Sequence, residues 1–107
     1  MGAVVAVLVS GLLGGCWGPD PEQVANWRET FCTRLGAWQE ARDAAEGGAA
    51  NAGRAVVAAA KVLDREGLDQ DGSHVLVDTG LAVEGDPGAA GRAASYCDGV
   101  GFETLVG

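Results

Sequence analysis

Apolar residues after residue 20 recur every three or four positions, the spacing that places them along one face of a helix. The first such stripe comprises Val24, Trp27, Phe31, Leu35, Trp38, Ala41 and Ala45. Asp20 and Pro21 precede it as an acidic N-cap and a proline at the first helical position, and Gly47 and Gly48 follow it. The pattern therefore predicts a long amphipathic helix whose aromatic stripe packs in the core.

Two further segments carry similar signals. One runs from near Asn51 to Glu66 and ends at Gly67, because glycine readily takes the left-handed conformation that terminates helices. Its inward positions are Val56, Val57, Ala60 and Leu63. The other opens with a second acid–proline pair at Asp86 and runs through Cys97. The last apolar positions are expected to fold back on the core: Phe102, Leu105 and Val106.

The segment between these helices fits two structures. It runs from His74 to Glu84, with Ser73 as a candidate N-cap, and it carries the apolar residues Val75, Leu76, Leu81 and Val83. A weak helix fits, but the run 75–77 also suits a strand and Gly80 disfavours a helix. Taken together, the segments predict an all-α fold, a small bundle of three to four antiparallel helices.

The first fifteen residues have a different pattern. They contain no charged side chain, and residues 3–13 form an apolar run that is shorter than the ~20 residues a spanning helix needs. The run ends at Leu13, Gly14, Gly15 and Cys16, which resembles the lipobox of bacterial lipoproteins. The resemblance implies cleavage before Cys16 and a diacylglyceryl group on its thiol. A plain secretory signal and a short core helix ahead of a cysteine are the alternatives.

The leader divides the chain into three parts. Residues 1–15 are predicted to be a signal peptide that is cleaved, residues 16–19 a lipidated tether, and residues 20–107 the helical domain. The predicted location follows, because lipidation of Cys16 would hold the domain on the extracytoplasmic face of the cell membrane.

With Cys16 assigned to lipid, Cys32 and Cys97 remain as a pair. In an oxidising compartment such a pair is most simply a disulfide, which would join the first and last helices. It would close a loop of about 65 residues and contribute about 4 kcal/mol in the chain-entropy model. Two separately buried thiols are the alternative.

This arrangement of cysteines resembles that of small helical lipoproteins and secreted proteins of actinobacteria. Those proteins have one cysteine in an early helix and one near the end of the chain. The resemblance implies a fold and a location. It transfers no functional residues, because those proteins are largely uncharacterised.

Charge is distributed unevenly. The formal net charge is -8, and seven basic residues are too few to neutralise many phosphates, which argues against nucleic acid as a partner. Residues 66–107 hold eight of the fifteen acidic residues and a single base, Arg92. This acidic half would suit a basic partner or a cation, and it would equally serve solubility, which is the interpretation we favour.

One loop carries candidate metal ligands. Asp69, Asp71, His74 and Asp78 place four side chains with oxygen or nitrogen donors within ten positions. The calcium-loop pattern is not met, because no acid lies five positions before Gly72 and no glutamate six positions after it. Aspartate and glycine are also ordinary loop residues, so no metal is predicted and these four remain weak candidates.

Catalytic patterns are missing from the sequence, and we predict neither an enzyme nor a cofactor. His74 is the single histidine, and Ser73 beside it would point elsewhere on a helix. The sequence therefore predicts a non-catalytic binding module that is anchored in the membrane through lipid, with an envelope protein or a cation as partner. The alternatives are a phage- or prophage-encoded envelope lipoprotein and a secreted, disulfide-linked helical protein with a structural role.

Overall fold

A computed structural model of the chain describes residues 19–44, 47–70 and 72–107. These residues form four α-helices, which are α1 (Pro21–Ala44), α2 (Ala49–Arg65), α3 (Val75–Val83) and α4 (Pro87–Gly99). A short 3₁₀ turn follows at Glu103–Leu105. The signal peptide, the lipobox with Cys16, and Asp71 lie outside the described residues. The predicted all-α bundle is confirmed.

Helix α1 begins where the sequence predicts. The carboxylate of Asp20 accepts a hydrogen bond from the backbone N–H of Glu22 at 3.0 Å, which satisfies one of the free donors of the first turn. Three large side chains of its stripe are buried, namely Phe31, Leu35 and Trp38. Val24 and Trp27 are half-buried at its start, and Ala45 lies outside the described residues.

Helices α2, α3 and α4 end in the same way. After each helix a glycine with positive φ turns the chain, at Gly67, Gly85 and Gly101. The next backbone N–H then bonds back to the carbonyl five positions earlier, as Leu68 does to Leu63 at 2.9 Å. At the second of these turns Asp86 also caps α4, accepting from Gly88 N at 2.9 Å and Ala89 N at 3.2 Å. Helices α3 and α4 are therefore joined by one tight turn.

The helices pack as two hairpins, α1 with α2 and α3 with α4. Helix α2 also packs against α3, and α4 packs against α1. The Cys32–Cys97 disulfide joins α1 to α4 with 5.8 Å between the Cα atoms, which confirms the predicted link. Phe102, Leu105 and Val106 pack against the core as expected.

The terminal segment, residues 102–107, packs against α1. Gly36 lies directly under the carbonyl of Leu105, and a Cβ atom there would overlap that oxygen. The backbone N–H of Gly107 also donates to Oε1 of Gln39 at 2.9 Å. These contacts close the bundle at the end away from the start of the domain.

Helix α3 departs most from the sequence expectation. Residues 75–83 are helical, so the strand alternative is wrong. The buried face carries Val75, Asp78, Thr79 and Ala82, whereas Leu81 is 39% exposed and Val77 is 61% exposed. A helix can bury only one such face, and the face that carries Asp78 is the one turned inward, where the carboxylate pairs with Arg92. Leu81, one of the apolar residues of this segment, is therefore not part of the core.

Among the residues that the structure describes, no helix is long and apolar enough to span a membrane.

Candidate functional site

A cleft of about 390 Å³ opens between α3, α4 and the loop that precedes α3. It is lined by Gln70, Gly72, Ser73, His74, Asp78, Arg92, Ser95, Tyr96 and Gly99. Polar side chains of several kinds thus converge on one concave surface. Such a concentration makes this cleft the candidate binding site.

A hydrogen-bonded ion pair forms one wall of the cleft. Oδ1 of Asp78 accepts a hydrogen bond from Nε of Arg92 at 2.9 Å. The carboxylate is buried, while the Arg92 side chain is 57% exposed. This hydrogen bond, together with the attraction of Asp78 and Asp86, raises the pKa of Arg92. The buried carboxylate fixes the orientation of the guanidinium, whose remaining N–H groups stay accessible to a ligand.

The floor of the cleft is fixed by Tyr96. Its hydroxyl donates to the carbonyl of Leu68 at 2.8 Å and accepts from Nε of Arg28 at 3.1 Å. Its ring meets Phe31 edge to face, with 5.8 Å between centroids. Burial raises the pKa of Tyr96, and the hydrogen bond from Arg28 opposes part of that rise. Because both hydrogen-bonding functions of the hydroxyl are occupied, Tyr96 serves to hold the cleft in shape.

The weak metal candidates from the sequence are only partly brought together. Asp69 caps α3, because its Oδ1 accepts from the backbone N–H of Val75 at 3.0 Å. This is the function that the sequence assigned to Ser73, whose hydroxyl instead donates to the carbonyl of Gln70 at 2.9 Å.

Two other candidates reach the cleft. Asp78 is engaged by Arg92, and His74 is exposed at the rim. Asp71 lies outside the described residues. Over residues 19–44, 47–70 and 72–107, no group of three or more His, Cys, Asp or Glu side chains is arranged to hold a metal ion.

Sequence reasoning missed the residues that shape the cleft. Arg92 had one visible signal, since it is the lone base in the acidic half. Arg28 and Tyr96 are 68 positions apart, and no local pattern could have paired them. The hydrogen bond between Arg28 and Tyr96 depends on how α4 packs against α1.

The charge around the cleft restricts what it can bind. The charge of Arg92 is already balanced by Asp78 and attracted by Asp86, and all other charged side chains in residues 66–107 are acidic. Small anions are therefore disfavoured, because the surrounding field is negative and the cation is already neutralised. The arrangement suits an uncharged or cationic polar ligand that exchanges hydrogen bonds with the Asp78–Arg92 pair and with Ser95. Comparisons with protein-family models, with curated proteins and with solved structures give no match to this chain.

Proposed function

We propose that this protein is a lipid-anchored, non-catalytic binding module on the extracytoplasmic face of a bacterial cell membrane. Cys16 carries the lipid, residues 16–19 are the tether, and the helical domain presents the α3–α4 cleft to a partner at the envelope. The partner is an uncharged or cationic polar group, such as a basic segment of an envelope protein.

The observation that carries the proposal is the disulfide between Cys32 and Cys97. A buried pair with 5.8 Å between Cα atoms supports a protein that folds in an oxidising compartment, and thus supports export. Export is what the apolar leader would accomplish. The lipobox-like residues 13–16 then account for the third cysteine, and Cys16 lies only five positions before Pro21, where α1 begins.

The cleft supports the binding part of the proposal. It has a fixed ion pair and free hydrogen-bonding groups at its rim, and Tyr96 holds it in shape. The hydroxyl of Ser73 donates to the carbonyl of Gln70, and Asp78 is engaged by Arg92, so neither of these hydrogen bonds goes to His74. The same geometry can recognise a ligand without transforming it.

Metabolic labelling tests the anchor. Cells expressing the full chain are grown with radioactive palmitate and then fractionated, alongside cells expressing Cys16→Ser. We expect label and membrane association for the wild type, and loss of both for Cys16→Ser, because serine cannot carry the thioether-linked lipid. Equal labelling of the two proteins, or no labelling of either, contradicts the anchor.

A cleft-filling variant tests the binding site. Ser95 is exposed on the cleft wall, so Ser95→Trp should fill the cleft and leave the core intact. Arginine-rich peptides, acidic peptides, amino sugars and neutral sugars serve as probes, with NMR shifts at Arg92 and His74 as the readout. We expect shifts with at least one cationic or neutral class and none with Ser95→Trp. Shifts with acidic peptides only would contradict the assignment.

A further inference from the structure

The outer face of α2 has the opposite character to the acidic half. Arg54, Ala58, Lys61 and Arg65 follow one another at steps of four, three and four residues, so they lie on a single helix face. All four are exposed. Arg34 of α1 reaches the same helix, since its Nη1 donates to the carbonyl of Ala55 at 3.3 Å. Four of the seven basic residues of the chain therefore lie on or beside this face.

An apolar groove runs between two of these bases. It has a volume of about 550 Å³ and lies along α2 where the end of α3 crosses it. Arg54 and Lys61 flank it, and the apolar lining consists of Ala50, Gly53, Val57, Ala58 and Val83. The expectation that Val57 points into the core is therefore wrong, because it lies on this outer side of α2. Gly53 lets the crossing be close, because a Cβ atom there would lie 2.8 Å from Cγ1 of Val83. We call these seven residues the basic groove.

The charge of the basic groove is concentrated on Arg54 and Lys61. Arg65 is offset by Glu66, whose carboxylate lies 3.5 Å from its Nε, and Asp64 adds a further acid at this end. The rest of the domain is predominantly acidic, with eight acids and one base in residues 66–107. An anionic surface would therefore repel the domain in most orientations and attract it when the basic groove faces that surface.

The tether brings this face close to the membrane. Helices α1 and α2 run antiparallel, since Arg34 reaches Ala55 while Arg28, nearer the start of α1, lies 3.5 Å from the carbonyl of Leu68. The end of α2 that carries Lys61 is thus the end nearest Pro21. Five residue steps separate Cys16 from Pro21, which is at most about 18 Å of extended chain.

We propose that the basic groove docks on an anionic phospholipid surface. Arg54 and Lys61 contact the headgroups, the apolar lining between them meets the interface, and the α3–α4 hairpin, apart from Val83 at the groove, is turned away by its negative charge. The inference rests on the proposed lipid anchor, because Arg54 and Lys61 alone could not hold the domain near a membrane, whereas the anchor does. Its consequence is a fixed orientation of the anchored domain.

Lys61 offers a direct probe, since it is the single lysine of the chain. The lipidated protein is reconstituted into phosphatidylcholine vesicles, and separately into vesicles with roughly one third phosphatidylglycerol. Flotation first reports whether the protein is anchored. The rate at which an amine-reactive reagent modifies Lys61, followed by mass spectrometry of the peptide that contains it, then reports whether the groove is covered.

We expect flotation with both vesicles, and labelling of Lys61 about fivefold slower on the anionic ones. About 0.5 M NaCl should abolish the difference by screening. Arg54→Gln should also reduce it. Arg42→Gln is the matched control, because it removes the same charge from an exposed position on α1 and should leave the protection unchanged.

The remaining outcomes separate the two proposals. If the protein floats with both vesicles but Lys61 is labelled equally fast on both, and as fast as in the absence of vesicles, the docking is contradicted and the anchor is not. Equal protection on both vesicles also overturns the docking, since the contact would then not be electrostatic. If soluble polyphosphate protects Lys61 from labelling as strongly as the anionic vesicles do, the ligand of the groove is an anionic polymer and not a lipid surface. Failure to float with either vesicle contradicts the anchor itself, and the docking with it.

Discussion

The two hairpins of this bundle are stabilised in different ways. The α1–α2 hairpin has helices of 24 and 17 residues and buries large side chains, among them Phe31, Leu35, Trp38, Val56 and Leu63. The α3–α4 hairpin has helices of 9 and 13 residues. Its buried apolar residues are alanines apart from Val75, Tyr96 and Cys97.

This difference matters because apolar burial scales with side-chain size. A fully buried leucine or phenylalanine contributes about 1.5–3 kcal/mol, and an alanine much less. The short hairpin therefore depends on specific links to the long one. These links are the Cys32–Cys97 disulfide, the close packing of the terminal segment against Gly36, and the hydrogen bonds of Tyr96 to Leu68 and Arg28.

Removing the disulfide should have the largest effect. We expect the double variant Cys32→Ala, Cys97→Ala to lose about 4 kcal/mol in the free energy of unfolding, because the unfolded chain regains the entropy of a long loop. Urea denaturation measures the loss. Hydrogen exchange should accelerate more in α4 than in α1, since α4 has the smaller core of its own.

Reduction of the wild-type disulfide is the matching control and should reproduce both results. A loss under about 1 kcal/mol, or equal acceleration in the two helices, would contradict the dependence of the short hairpin on this link.

Among the links between the two hairpins, breaking the contact at Gly36 with Gly36→Ala should have the next largest effect. The new methyl group would overlap the carbonyl of Leu105, and because that atom is backbone the terminal segment must move. We expect a loss of about 2 kcal/mol, the cost of overpacking less the helix-propensity gain of alanine. Chemical denaturation measures it, and proteolysis should remove residues 102–107 faster.

Gly91→Ala is the control for this prediction. Gly91 is an exposed glycine within α4, and a Cβ atom there would meet nothing within 4 Å. We expect no loss, and a gain of up to about 1 kcal/mol from the higher helix propensity of alanine. Equal losses in the two variants would show that the backbone contact at Gly36 is not what holds the terminal segment.

The sequence predicted more of the long hairpin than of the short one. Helix α1 has an apolar stripe behind the cap at Asp20, and α2 has an apolar stripe and a glycine stop at Gly67, and these signals are local. The Cys32–Cys97 link was also predicted, because two cysteines left over in a chain that is expected to be exported would form a pair. Helix α3 was harder, since its buried face includes Asp78 and Thr79, which no apolar pattern would select.

The cleft could not be predicted for the same physical reason. Its ion pair joins residues of two different helices, and the hydroxyl of Tyr96 bonds to residues that are 28 and 68 positions away. Such pairs are fixed only once the helices have packed. The sequence located the loop at 69–74 as a candidate site, but it assigned the cap of α3 to Ser73 instead of Asp69.

Tyr96→Phe should cost about 1.5 kcal/mol at neutral pH, because the variant removes a donor from the carbonyl of Leu68 and an acceptor from Arg28. The aromatic contact with Phe31 is kept, so the loss isolates the hydroxyl. Urea denaturation measures it. An unchanged free energy of unfolding would show that the polar link does not stabilise the short hairpin.

The same hydroxyl predicts a loss of stability at high pH. Burial raises the pKa of Tyr96 in the folded protein, so the folded state holds this proton more tightly than the unfolded chain. The resulting stabilisation is complete below the unfolded pKa of about 10 and disappears as pH rises through the folded pKa. Absorbance of tyrosinate follows a single residue here, since Tyr96 is the lone tyrosine. Titration at or below the normal pKa would contradict the burial.

Leu81→Ala should have the smallest effect. Leu81 is 39% exposed at the edge of the buried face of α3, so truncation removes less buried surface than it would at a core leucine. We expect a loss within about 0.5 kcal/mol, and alanine's high helix propensity favours the small end of that range.

Leu63→Ala provides the contrast from the long hairpin, because Leu63 is fully buried and its truncation should cost about 3 kcal/mol. Parallel denaturation curves of the two variants measure both values. A loss above about 2 kcal/mol for Leu81→Ala would mean that α3 is turned with its leucine inward, contrary to the exposure of Leu81 in this structure. The Asp78–Arg92 pair could then not form as described, and the cleft between the loop, α3 and α4 would lose its wall.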